Sequence, residues 1–176
     1  MEKYVALLRA VNVAGKNKVN MKNLKAALQE EGFQNVTTYI QSGNLVLSSN
    51  LQTENEVAAK ITEVIIASFN LSIDVFVFSE KNYKTIIKNN PFPPEIIGEE
   101  ERWMIAFYNE NIDIPKQKNT QAEVIAIGRA LYIHVFSNQI HQLKLLVFLG
   151  EYKKTLTTTR NWRTTAKLLT LLDSQE

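Results

Sequence analysis

Residues 8–18 read Leu8-Arg9-Ala10-Val11-Asn12-Val13-Ala14-Gly15-Lys16-Asn17-Lys18, a polar and basic segment between an apolar run and an amphipathic one. The run before it, Lys3–Leu8, is short and apolar, which predicts a buried central strand. After it, Asn20 carries the side chain of an N-cap, and apolar residues recur at helical spacing as far as Gly32. Glycine readily takes the left-handed conformation that ends a helix, so the helix is expected to end at Gly32. The sequence therefore predicts a strand, a loop and a helix in succession.

The chain up to residue 79 continues as an alternation of strands and helices. Strands are predicted at Lys3–Leu8, Val36–Ile40, Leu45–Ser48 and Ile73–Phe78. The middle two form a hairpin across Gln41-Ser42-Gly43-Asn44, and a capping box at Thr53-Glu54-Asn55-Glu56 begins the second helix. This order, βαββαβ, is that of a ferredoxin-like unit. We therefore predict an α+β fold in which residues 1–79 form a ferredoxin-like lobe.

Residues 80–176 are predicted to form a second α/β lobe with a C-terminal helix. A helix begins after Ser79 and runs to about Lys88, where the proline-rich segment 91–94 ends it because proline lacks an amide donor. Further strands are predicted at Arg102–Tyr108, Glu123–Ile127 and Ala130–Phe136, and further helices at Gln142–Leu149 and Trp162–Leu172. We expect the two lobes to form one compact unit.

Composition excludes several classes of protein. The 176 residues, 45% of them hydrophobic and 22% charged, are typical of a globular chain. The lack of cysteine excludes disulfides, thiolate zinc sites and thiol nucleophiles. No apolar run has the length of a signal sequence or of a membrane span, so we expect a cytoplasmic protein with no membrane partner. A net charge of +2 is too small to predict a dedicated nucleic-acid binder.

Two further segments share the polar character of residues 8–18. Tyr39–Asn44 lies where two strands turn, and Thr157–Trp162 lies where the last helix begins, so amides, hydroxyls and cations gather at the ends of elements. Exposed amides at a helix N-terminus attract anions, which favours an anion site. We predict a ligand-binding surface without assigning catalytic residues. Its predicted residues are Arg9, Asn12, Gly15, Lys16, Lys18, Gln41, Ser42, Asn44, Arg160 and Asn161.

The last helix is predicted to carry a cationic face. Arg160, Arg163 and Lys167 recur at offsets of three and four, while Trp162, Leu169 and Leu172 face inward. The guanidinium of Arg160 can bind a phosphate or a carboxylate bidentately.

Two catalytic motifs are incomplete. A Walker phosphate loop requires a glycine five residues before Gly15 and a hydroxyl residue two after it, where this chain has Ala10 and Asn17. Ser42 lacks the glycine two residues earlier that a nucleophile elbow requires. Neither a nucleoside triphosphatase nor a serine hydrolase of this type is predicted.

The remaining titratable residues predict neither a metal site nor a cofactor. His134 lies on a predicted strand and His141 in a polar turn, and we expect both to be structural. No spacing of His, Asp and Glu suits a metal ion. The acidic run Glu99-Glu100-Glu101 is predicted to be a solvated loop.

Three segments together resemble those of a known family. They are Leu7-Leu8-Arg9-Ala10-Val11-Asn12-Val13-Ala14-Gly15-Lys16-Asn17, Thr38-Tyr39-Ile40-Gln41-Ser42-Gly43-Asn44 and Thr159-Arg160-Asn161-Trp162-Arg163-Thr164. In this order they resemble the hallmark stretches of the bacterial proteins catalogued as domain of unknown function 1697. The resemblance implies a compact α/β protein with ferredoxin-like subdomains and no established activity. The family usually has glycine where this chain has Ala10 and Ala14, which implies a less flexible loop here.

The sequence supports three functional hypotheses. The first is binding of a small anionic or phosphate-bearing ligand by the predicted residues. Single-stranded nucleic acid is an alternative ligand, but it is less favoured because only Tyr4 and Tyr39 offer rings near this surface. The second is an enzyme acting on a phosphorylated or acidic substrate, for which Tyr39, Ser42 and His134 are the residues to test. The third is structural: Arg160 bonds loop carbonyls and joins the lobes, because buried backbone groups need partners.

Overall fold

The computed structural model describes residues 1–92, 101–120, 122–136 and 156–175. Within these ranges the architecture is mixed α+β, with two antiparallel sheets and four helices. The predicted helix Gln142–Leu149 lies outside the described residues, as do His141, Glu99 and Glu100. The chain divides into two compact units, Met1–Thr85 with Ala166–Glu176, and Ile86–Thr165. The sequence-based division into residues 1–79 and 80–176 stays a prediction.

The first unit contains a four-stranded sheet. Its elements are β1 (Glu2–Leu8), α1 (Met21–Glu30), β2 (Gln34–Tyr39), β3 (Asn44–Ser49), α2 (Glu54–Phe69) and β4 (Val75–Ser79). The strand order is β2-β3-β1-β4, and every neighbouring pair is antiparallel. The strand β1 is central, as its apolar sequence predicts: Val5 pairs with Val46 on one side and with Phe78 on the other.

Side-chain caps begin α1 and α2, as predicted. The Asn20 side chain accepts hydrogen bonds from the amides of Lys22 and Asn23, at 3.0 and 3.1 Å. Thr53 and Glu56 form the reciprocal capping box of α2, and the Thr53 hydroxyl hydrogen bond lowers the pKa of the Glu56 carboxyl. Caps satisfy amides that have no partner within the helix, so they determine where each helix starts.

Apolar side chains of α1 and α2 form one core with the sheet. Leu24 and Leu28 of α1 and Ile61 and Ile65 of α2 are fully buried, and they belong to one cluster with Leu47 of β3. Burying each of these side chains contributes about 2 kcal/mol to folding. The core therefore holds the strand ends, and the loops that leave them, in place.

Two more helices complete the described elements. The helix α3 spans Glu80–Lys88 and α4 spans Trp162–Asp173. Within the first unit, Lys84 of α3 lies 2.8 Å from the carboxylate of Asp173 at the end of α4. Leu172 is buried as predicted, whereas Trp162 and Leu169 are only half-buried.

The second unit contains a five-stranded antiparallel sheet of order β6-β7-β8-β5-β9. Its strands are β5 (Arg102–Tyr108), β6 (Gln117–Lys118), β7 (Ala122–Ile127), β8 (Ala130–Val135) and β9 (Thr157–Asn161). The sequence analysis placed Thr157–Trp162 at the start of the last helix; the helix does begin at Trp162, but the residues before it form an unpredicted strand. The threonines of β9 are β-branched and suit an extended conformation, and β9 pairs along β5.

Candidate functional site

Two of the predicted segments lie against each other in the first unit. The amide of Leu8, at the end of β1, donates to the Gly43 carbonyl at 2.8 Å. The side-chain amide of Asn12 donates to the Gln41 carbonyl, also at 2.8 Å. We call residues 9–18 together with residues 40–43 the loop pair. The loop pair thus includes seven of the ten predicted site residues, and Asn44 directly follows it.

Asn12 holds the loop pair together. Besides its bond to Gln41, its Nδ2 donates to the Val19 carbonyl at 2.9 Å, and its Oδ1 accepts from the Val19 amide at 2.9 Å. Both amide protons and the carbonyl oxygen of the side chain therefore have protein partners. Asn12 builds the loop and does not point a spare hydrogen-bonding group at a ligand.

The turn is fixed in the same way by Asn44. Its side chain is fully buried, and its Nδ2 donates to the Tyr39 carbonyl at 3.0 Å and to the Ser42 hydroxyl at 2.9 Å. Gln41 is exposed, but its carbonyl is the acceptor that Asn12 uses. The polar groups that the sequence suggested for ligand contact are in this turn largely committed to its own conformation.

The loop pair has an unusual backbone. Ala10, Asn12, Ala14 and Asn17 have φ values of 54°, 54°, 48° and 46°, and Ile40 in the turn has a φ of 50°. This left-handed region is uncommon for residues other than glycine and unfavourable for a β-branched one. Non-glycine strain concentrates at functional sites more often than elsewhere, so it supports a functional role for the loop pair.

The cations of the loop pair differ in their surroundings. Arg9 forms an ion pair with Asp74 at 3.3 Å, with both side chains about half exposed. Lys16 and Lys18 are exposed and form no ion pair with any described residue. Gly15 next to them has a φ of +76° and open space where a Cβ would stand. The two lysines are therefore the charges that this loop offers to an anion.

Arg160 and Asn161 belong to the second unit, on β9. Arg160 is only 8% exposed, and its Nη1 donates to the Thr158 hydroxyl at 2.8 Å and to the Thr159 carbonyl at 2.9 Å. Asn161 Oδ1 accepts from the Thr164 amide at 2.8 Å, which caps α4. Both side chains have structural partners within their own unit, and Arg160 is not the exposed helix-face cation that its spacing suggested.

Three cavities lie within the described residues of single units, and the one of about 490 Å³, beside Lys25 and Asn35 in the first unit, contains no predicted site residue. The two others are larger. One, of about 520 Å³ in the first unit, is lined by residues such as Phe33, Leu51 and Lys60, none of them a predicted site residue. The other, of about 570 Å³ in the second unit, contains Asn161 as its one predicted residue. Its described lining residues are Glu101, Arg102, Trp103, Asn161, Trp162 and Arg163.

The sequence analysis missed the strand side of this second cavity. Glu101 was expected to be solvated, but its Oε2 lies 2.8 Å from Nε2 of His134. His134 in turn contacts the Trp103 ring edge-on, with the ring centroids 5.2 Å apart. The sequence feature that could have indicated this side of the cavity is the pair Arg102-Trp103 at the start of the predicted strand Arg102–Tyr108. Among the described residues, no group of His, Asp and Glu is arranged to hold a metal ion.

Comparisons with known proteins establish the family. The family model described as "Protein of unknown function (DUF1697)" matches residues 1–132. The chain belongs to this family. Among solved structures, this DUF1697 protein resembles the conserved bacterial protein SP0830 from Streptococcus pneumoniae, with a TM-score of 0.73 and 22% sequence identity. The match covers 97% of this chain and 98% of that chain, and at this identity it concerns the fold alone.

No curated protein matches the sequence of this DUF1697 protein. Of the helices that the structure describes, none combines the length and the hydropathy needed to cross a bilayer.

Proposed function

We propose that this protein binds a small anionic, phosphate-bearing ligand at the loop pair of its first unit. The observation that carries the proposal is that Lys16 and Lys18 are exposed on a loop that Asn12 locks to the neighbouring turn. Because the loop is already ordered, ligand binding does not require the loss of conformational entropy that ordering it would cost. Gly15 leaves the backbone between these lysines and Ala14 open to close approach.

In this proposal the ten predicted residues have different roles. Lys16 and Lys18 supply charge, Gly15 supplies access, and Arg9 contributes only after competing with Asp74. Asn12, Gln41 and Ser42 of the loop pair, together with Asn44, hold the conformation of the two loops through their hydrogen bonds. Arg160 and Asn161 are proposed to stabilise β9 and the start of α4.

Single-stranded nucleic acid and an enzyme are less favoured. The ring of Tyr4 is buried, and its hydroxyl donates to the Leu51 carbonyl, so it cannot stack on a base. Of the residues named for catalysis, Ser42 accepts a hydrogen bond from Asn44 and His134 faces Glu101. Binding of a small ligand requires neither a stacking platform nor a nucleophile.

The finer fold assignment belongs to the same proposal. We infer that residues 1–79 form a ferredoxin-like lobe and residues 80–176 a second α/β lobe. Support for the first comes from the element order β1-α1-β2-β3-α2-β4 and the strand order β2-β3-β1-β4. A fragment of residues 1–79 should then give a dispersed amide NMR spectrum, whereas a collapsed spectrum would contradict an independent lobe.

A titration followed by amide NMR tests the proposed function. With pyrophosphate as the probe, we expect saturable shifts of the amides of residues 13–18. Lys16→Gln with Lys18→Gln should weaken binding about tenfold, because two exposed charge contacts together contribute about 1 kcal/mol or more. Lys22→Gln with Lys25→Gln, on the exposed face of α1, is the matched control and should change little.

The same titration separates the alternatives. A short single-stranded RNA should bind no more tightly than pyrophosphate, and its affinity should fall steeply with salt only if several phosphates are contacted. Equal weakening by the two double variants would show nonspecific attraction and refute a site at the loop pair.

A further inference from the structure

Two exposed aliphatic side chains belong to the loop pair. Val13 is 57% exposed and Ile40 is 52% exposed, and they are two of the six large apolar side chains that the described residues expose. Val13 directly follows Asn12, and Ile40 directly precedes Gln41, whose carbonyl accepts the Asn12 side-chain amide at 2.8 Å. The hydrogen bond that locks the two loops together therefore also brings these two aliphatic positions close to each other.

The backbone places Val13 beside a cation. Val13 and Lys16 form an isolated antiparallel bridge, and the Lys16 amide donates to the Val13 carbonyl at 2.9 Å. Ala14 and Gly15 between them have φ values of 48° and 76°, as in the two-residue turns that join hairpin strands. Residues that face each other across such a bridge have their side chains on the same side of the hairpin. An aliphatic group and an ammonium group therefore leave this small hairpin from one face.

Ile40 is an unfavourable residue for the backbone that it occupies. Its φ of 50° lies in the left-handed region, which β-branched residues rarely adopt and which asparagine tolerates. Half of its side chain is exposed, so burial in the core offsets little of this strain. An aliphatic side chain that strains the backbone and buries little surface contributes little to folding, and its position favours a contact with a ligand.

The charge and the size of this surface favour a small amphiphilic anion. Lys16 and Lys18 are exposed and attract the anionic group, whereas Val13 and Ile40 gain by covering hydrocarbon. The two aliphatic side chains together hold fewer carbon atoms than one myristoyl chain, which by itself binds a bilayer only marginally. They therefore match a short aliphatic chain on a small ligand better than a lipid surface.

We propose that the ligand of the loop pair is a phosphate monoester with a short aliphatic chain, its phosphate beside Lys16 and Lys18 and its chain across Val13 and Ile40. This ligand class depends on the proposed function, because it is assigned to the same site. The phosphate determines where the ligand binds, and the aliphatic chain determines which phosphate binds most tightly. An inorganic anion fills only the charged half of the site.

Titrations of the full-length protein with hexyl phosphate and with methyl phosphate test this ligand class. Both probes carry the same phosphate monoester, so a difference in their affinities reports the aliphatic chain alone. We expect both to shift the amide NMR signals of residues 13–18, and hexyl phosphate alone to shift the methyl signals of Val13 and Ile40. Hexyl phosphate should bind about tenfold more tightly, or about 1.4 kcal/mol, which corresponds to burial of about two methylene groups.

Two substitutions remove the aliphatic groups while preserving the backbone. Ile40→Asn suits the left-handed conformation, and Val13→Thr keeps the shape of an exposed side chain while adding a hydroxyl. The double variant should reduce the tenfold preference for hexyl phosphate to about twofold or less. Ile127→Thr is the matched control, because Ile127 is an exposed isoleucine of the second unit, and it should keep the full preference.

The possible results separate this ligand class from the proposed function. Equal affinities for hexyl and methyl phosphate, with amide shifts from both, would overturn the aliphatic ligand and leave anion binding at the loop pair intact. No amide shift with pyrophosphate or with either monoester would refute both. Equal loss of the preference in Ile127→Thr would reveal nonspecific adsorption and overturn the assignment. Co-sedimentation with vesicles of phosphatidylcholine and phosphatidic acid, abolished by the double variant, would overturn it in favour of a lipid surface.

Discussion

Replacing Gly43 by alanine should lower the free energy of unfolding more than the same change at Gly15, the other glycine of the loop pair. Gly43 has a φ of +75°, and a Cβ built on it would lie 2.5 Å from Val11 Cγ2 and 2.6 Å from Leu8 Cβ. Carbon atoms in contact are normally about 3.5–4.0 Å apart. Leu8 and Val11 are both buried in the first core, so neither can move aside without disturbing it.

The expected cost has two parts. Overpacking a buried site costs about 1–3 kcal/mol. The left-handed conformation costs alanine about 1–2 kcal/mol, partly offset by about 0.4–1 kcal/mol because alanine restricts the unfolded chain. The free energy of unfolding should therefore fall by about 2–4 kcal/mol, which corresponds to a Tm lower by roughly 4–16 °C for a chain of this length.

Gly15→Ala separates the two parts. Gly15 has nearly the same φ, +76°, but nothing lies within 4 Å of its Cβ position. The free energy of unfolding of Gly15→Ala should fall by only about 1 kcal/mol, which is the cost of the left-handed conformation. Urea unfolding of both variants, followed by far-ultraviolet circular dichroism, measures the difference. Equal losses at the two positions would show that Val11 and Leu8 do not confine Gly43, and the close contact of the two loops would be refuted.

Three further predictions concern single side chains. Ile40→Asn should raise the Tm by about 2–4 °C, because a half-exposed β-branched residue leaves a left-handed conformation that asparagine tolerates; a lower Tm would show that the Ile40 side chain packs usefully. Asn12→Ala should lower the free energy of unfolding by about 2 kcal/mol through loss of its three hydrogen bonds, measured by urea titration against Lys16→Ala, which should change it by less than about 0.5 kcal/mol. Glu123→Gln should lower stability by about 1 kcal/mol at neutral pH. The Lys116 ammonium lowers the pKa of Glu123 below its usual 4.5, so the ion pair stabilises the folded state above that pH, and its contribution disappears as the pH falls through the folded-state pKa. The Tm values of the two proteins should therefore converge in acid. A Tm difference that stays constant with pH would contradict this origin.

Local sequence signals predicted the elements of the first unit well. The cap at Asn20, the capping box at Thr53 and the apolar run before Arg9 each depend on residues within a few positions of one another. Such signals can be read without knowledge of the fold. The strand β9 escaped prediction because Thr157–Asn161 is polar and becomes extended only by pairing with β5.

The predicted site residues show the limit of residue type as a guide to role. Asn12, Asn44 and Asn161 were chosen because amides bind ligands, yet each is used to satisfy backbone groups of its own loop or helix. Burial decides between these roles, because a buried backbone group must find a partner before a ligand can.

By itself, the sequence determined the family, the α+β class, the helix starts and the position of one basic loop, because all of these rest on residues close together in the chain. Only the tertiary structure decided that residues 9–18 meet residues 40–43 through Asn12, and that Trp103 and Arg163 line one cavity. These last features join residues far apart in sequence. Strand pairing and core packing bring them together, and no local pattern records which distant residues will become neighbours.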